Sequence, residues 1–154
     1  MPFTLANLSE PRAWLRDVVQ PALDDLIAAP LDIRRAYTAL MLVHRHHERI
    51  FHYLRRRRPG LLTGASLERF RVDLGNLAPS FAEAAAAAES AEGHTLKYTN
   101  ILSAEGVMAI MGGSTGAGKT IARAVIVTRQ NRQLIPMLQD VVDAYQRLHE
   151  SFRI

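Results

Sequence analysis

Between Pro30 and Gly60 the chain reads PLDIRRAYTALMLVHRHHERIFHYLRRRRPG. Stepping through it by alternating fours and threes selects Ile33, Tyr37, Leu40, His44, His47, Phe51 and Leu54. Residues at that spacing share one stripe of a helix, so the pattern predicts a single long helix with a core-facing seam. Two of the seven are histidines, and a polar ring in a seam must find hydrogen-bond partners among neighbouring helices. Pro59 and Gly60 end the element, and Arg55–Arg58 in its last turn suit the negative end of the helix dipole.

The flanking segments supply cover for that seam. Ser9 is a favourable N-cap for a first helix, with Glu10 and Pro11 in its first turn, and Pro21 predicts a kink or a short restart. Ser66 caps a third helix with a seam of Leu67, Phe70, Leu74, Leu77 and Phe81. That pattern crosses Pro79, and Ser80-Phe81-Ala82-Glu83 has the form of a capping box, so two tandem helices or one kinked helix both fit. An alanine-rich segment follows and Gly93 stops it. Beyond it, Val107–Met111 and Ala124–Thr128 are rich in aliphatic and β-branched residues, RQNR at 129–132 has turn chemistry before Gln133–Pro136, and GGSTGAG reads as a connection. Leu138, Val141, Val142, Tyr145, Leu148 and Phe152 form the seam of a last helix, expected to dock on the second. The predicted fold is mostly α, a helical bundle with a small antiparallel β-hairpin or sheet before the C-terminal helix. One domain spans 1–154, helical over 9–92, β over 97–136 and helical again over 137–152.

Composition removes several chemistries. With no cysteine there is no disulfide, no thiol nucleophile and no cysteine-ligated zinc. The longest apolar runs are far too short for a membrane span and the first residues lack the pattern of a signal peptide, so a cytoplasmic protein is expected. A net charge of +4, with seventeen arginines to two lysines, admits a nucleic-acid partner through Arg45, Arg49 and Arg55–Arg58.

Three motifs carry candidate chemistry. His44, Glu48 and His52 are spaced at i, i+4 and i+8 with His47 beside them, a helical way of offering metal ligands, and Asp24, Asp25, His94 or His149 are available to complete a set. Gly113-Ser114-Thr115-Gly116-Ala117-Gly118-Lys119-Thr120 resembles the Walker A loop of P-loop NTPases. That resemblance implies Gly113 and Gly118 backbone at a phosphate, Lys119 on its terminal oxygens and Thr120 on magnesium. The context departs from that family: IARAVIVT after the loop has strand character, and only 34 residues follow Thr120. A glycine-rich turn between strands is therefore the expectation.

The third motif is Arg45-His46-His47-Glu48-Arg49-Ile50-Phe51-His52, which is similar to the arginine–histidine pattern of HEPN-type ribonucleases, including a polar residue after the arginine. The resemblance covers at most the helical first 90 residues. It implies an all-helical bundle, a homodimer whose cleft joins arginine and histidine from two subunits, and metal-independent attack of a 2′-hydroxyl on RNA by way of Arg45 and His52. Those two lie about 10 Å apart along a helix axis. The leading expectation is a non-enzymatic binding or regulatory protein of bacterial type, homodimeric through helix faces. The HEPN-like ribonuclease, the metal site and the P-loop stand as its alternatives.

Overall fold

The computed structural model describes residues 10–64, 66–90, 95–102 and 122–154. Ser9, His94, Val107–Met111 and the loop Gly113–Thr120 lie outside the described residues. The fold is a mostly helical bundle with a two-stranded antiparallel sheet before the C-terminal helix.

The first rod consists of α1 (Pro11–Trp14), a π-helical turn over Leu15–Val19, and α2 (Gln20–Ala28). Its N-cap is Glu10, with Pro11 in the first helical position. The kink expected at Pro21 takes the form of that widened turn, closed by the Gln20 N–H on the Leu15 carbonyl. Proline has no N–H to give to the carbonyl four residues back and its ring crowds that carbonyl, so the chain absorbs an extra residue there.

Helix α3 (Ile33–Arg57) is the central rod. Asp32 caps it, its carboxylate accepting from the backbone N–H of Arg34 at 3.0 Å and of Arg35 at 3.2 Å. Asp32→Ala removes both of these hydrogen bonds and should lower stability by about 1 kcal/mol in chemical denaturation. Leu40, His44, His47, Phe51 and Leu54 of the predicted seam are buried, while Ile33 and Tyr37 at its start are half-buried. Ala36, Ala39, Val43, His46 and Ile50 are buried as well, so the helix is covered on two flanks.

Helix α4 (Leu67–Leu77) begins at the predicted Ser66 cap. Helix α5 (Pro79–Ala88) follows directly. Ala78 between them is extended (φ −142°, ψ 102°), as a residue before proline is driven to be, so the tandem arrangement holds. The capping box does not form. The helix starts one residue ahead of Ser80, whose hydroxyl instead donates to Asp140 at 3.1 Å and accepts from Arg132 at 3.2 Å.

Strand β1 (Leu96–Leu102) pairs antiparallel with β2 (Ala122–Thr128), Tyr98 opposite Ile126. The Tyr98 hydroxyl donates to the Leu31 carbonyl at 2.8 Å and the Leu96 N–H to the Tyr37 hydroxyl at 3.3 Å, which holds the sheet to the start of α3. The turn expected at 129–132 is present, with Asn131 at φ 63°. Gln133–Pro136, read from sequence as extended, contributes only a single bridge from Gln133 to Val127. Helix α6 (Leu134–Phe152) starts three residues before the predicted 137. It docks on α3 as expected, with the buried Tyr145 hydroxyl donating to the Val43 carbonyl at 2.7 Å. No helix among the described residues is long and apolar enough to cross a membrane.

Candidate functional site: a basic cleft and a buried histidine seam

Helix α3 presents two different polar surfaces, and the sequence-predicted residues divide between them. On the outer side, Arg45, Glu48, Arg49, His52 and Arg56 line an open cleft of about 450 Å³ with Leu42 and with Trp14 from α1. The Arg49 guanidinium lies over the Trp14 ring, 3.8 Å from its centroid, a cation–π contact that anchors both at the floor. Arg45, His52 and Arg56 are exposed, and the Arg56 Nε donates to the His52 carbonyl at 3.3 Å. Three arginines face one carboxylate, so the cleft is electropositive. Arg55, Arg57 and Arg58 continue the charge to the helix end, where the Arg58 Nη1 donates to the Phe152 carbonyl at 2.7 Å.

On the inner side, His44 and His47 are buried with ring centroids 4.8 Å apart, and Phe81 of α5 packs on both. His44 donates from Nε2 to Glu89 at 3.1 Å, and Arg71 binds the same carboxylate oxygen. His47 gives its Nδ1–H to the His44 carbonyl. His46 is 1% exposed and its Nε2 lies 3.0 Å from the Nε2 of His149, itself 2% exposed, so one ring donates and the other accepts across the α3–α6 contact. Burial pushes His46 down to about 3, helped by the positive charges around it. Burial likewise takes His47 to about 4 and His149 to about 4, and it lowers His44 despite Glu89. All four rings are therefore held neutral.

The four residues offered from sequence as a metal face thus occupy two places: His44 and His47 in the core, Glu48 and His52 in the cleft. The reason is rotation, since each four-residue step advances about 40° around the helix and two steps carry His52 away from His44. Among the described residues no group of three histidines or carboxylates is placed to hold a metal ion. Asp24 and Asp25 are exposed on α2.

His46 is the residue that reading one stripe misses. Its signal was a second stripe at the same spacing, Ala39, Val43, His46 and Ile50, which marks a helix covered on two sides. No known protein family, curated protein or solved structure matches this chain.

Proposed function

We propose that this chain is a non-enzymatic binding protein that holds a nucleic-acid strand in the cleft of Arg45, Arg49, His52 and Arg56. The observation that carries the reading is the clustering of three arginines around the one tryptophan of the chain, in a cleft open to solvent. Guanidinium groups pair with phosphate oxygens and the strand gains affinity by releasing counterions, while the Arg49 guanidinium held over Trp14 offers a flat cation on which a base can stack. The run Arg55–Arg58 extends the phosphate track along the same helix.

The HEPN-like ribonuclease is the second reading, favoured by one feature: Arg45 and His52 line the same open cleft. In that reading a second copy brings its own Arg45 and His52 to the first. One experiment serves both. Labelled RNA oligonucleotides are titrated while Trp14 fluorescence, RNA integrity and the mass of the protein are followed. Binding supports the first reading when it quenches Trp14, weakens steeply with salt and leaves the RNA intact. Cleavage by a dimer, abolished by His52→Ala without loss of binding, supports the second. Absence of binding at low ionic strength refutes both.

A further inference from the structure

A carboxylate among phosphate-binding arginines works against affinity unless it has a task of its own. Glu48 is the one acidic residue among the described residues that line the Arg45–Arg56 cleft. On a helix its natural partners are one turn away, Arg45 three residues before it and His52 four after. It pairs with neither, and among the described residues it makes no ion pair and no side-chain hydrogen bond. Glu48 is half-buried, and neither of its oxygens is shut away from the cleft as a buried atom without a partner. The neighbouring groups are held elsewhere. The Arg49 guanidinium lies over the Trp14 ring, 3.8 Å from its centroid, and the Arg56 Nε donates to the His52 carbonyl at 3.3 Å. Glu48 therefore keeps two acceptor oxygens for a ligand.

Two acceptors side by side fit two donors side by side. Of the RNA bases, only guanine has that arrangement on its Watson–Crick edge, with N1–H next to the N2 amino group. Adenine and cytosine each set one amino donor beside a ring-nitrogen acceptor, which meets the second carboxylate oxygen lone pair to lone pair. Uracil carries its single N3–H between two carbonyls. Hydrogen bonds to a carboxylate are charge-assisted, so the matched pair strengthens and the mismatched ones repel. Glu48 immediately precedes Arg49 on α3 and lines the same cleft, so a base stacked on the guanidinium can turn its edge to the carboxylate.

Resting on the strand-binding reading above, we infer that this cleft selects guanine: Glu48 accepts from N1–H and N2–H of an unpaired guanine base stacked on Arg49. The Watson–Crick edge must be open for that contact, so the partner is a single strand.

The test is a titration of the full chain, followed by Trp14 fluorescence at low ionic strength, with short oligouridine strands that differ only at their central base. The strand with a central guanosine should bind about tenfold or more tightly than the all-uridine strand. Inosine at the same place, which lacks only the N2 amino group, should lose most of that advantage. Glu48→Gln keeps the side chain's shape and should bring the ratio of guanosine to uridine strands down to about twofold or less. If Glu48 acted by repulsion alone, that variant would bind every strand more tightly by one common factor and the ratio would persist. The inference is overturned by that persistence, by equal binding of guanosine and inosine strands, or by a parent that binds all the strands alike. Those outcomes leave strand binding itself standing, whereas a protein that binds none of the strands refutes the reading and the preference together.

Discussion

Acidification from pH 7.5 to 5 is expected to destabilise this protein by roughly 6 kcal/mol, well before its carboxylates are protonated in bulk. The cause is the set of histidines buried neutral. His46, His47 and His149 have folded-state values of about 3, about 4 and about 4, against an ordinary 6.5. Their depressed values mean that the unfolded chain binds protons which the folded chain refuses. Stability is thus complete above pH 6.5, falls as pH drops through that value, and keeps falling until the folded-state values are reached. Each such group contributes about 1.4 kcal/mol per pH unit, so three together remove roughly 4 kcal/mol per unit, against a total of about 5–15 kcal/mol for a typical domain.

The groups facing these rings offer little relief. His149 of α6 and Arg49 bear on His46, and Arg12 bears on His149, all unfavourable to a second positive charge. Among the described residues Glu89 is the one carboxylate in contact, and it serves His44 and Arg71. Urea unfolding followed by circular dichroism at pH 7.5, 6 and 5 measures the slope. The double substitution His46→Leu and His149→Leu exchanges a half-satisfied polar pair for apolar contact, so stability at neutral pH should change little. The pH slope should lose about two histidines' worth, or roughly 3 kcal/mol per unit. A parent whose urea midpoint is level from pH 7.5 to 5 would show that the rings charge without opening the core.

The contrast between well-read and misread elements follows from what sequence encodes locally. Ser66 and Pro79 punctuate helices through their own backbone chemistry, and both boundaries were legible to within a residue or two. Residues 133–136 were misread because Gln-Leu-Ile-Pro suits a strand as well as a first helical turn, and α6 wins by burying Leu134 and Met137 in the core. The site was legible in part. Arg45, Arg49, His52 and Arg56 fall on one face by helical arithmetic alone. Trp14 reaches its cleft through the packing of the first rod, which no local pattern specifies. The His46–His149 bond joins positions 103 residues apart, and only the docking of α6 on α3 creates it.

Reversing the charge at Arg45 and Arg56 should lower affinity for single-stranded RNA about 100-fold at moderate salt, if the outer cleft tracks phosphates as proposed. Both side chains are exposed, so neither substitution opens a cavity, and circular dichroism should show an unchanged helical content. The slope of log affinity against log salt should become shallower by about two, because each lost phosphate contact retains its counterion. The informative comparison is a variant with the same net charge, Arg34→Glu with Arg123→Glu, two exposed positions outside the cleft. If affinity were set by net charge alone, both double variants would fall together with equal salt slopes. A tenfold or larger gap between them localises binding to the cleft, and Trp14 quenching should disappear only in the Arg45 and Arg56 variant. Equal losses would move the contact surface away from α3 and leave Arg45 and His52 as a solvated face of a structural helix.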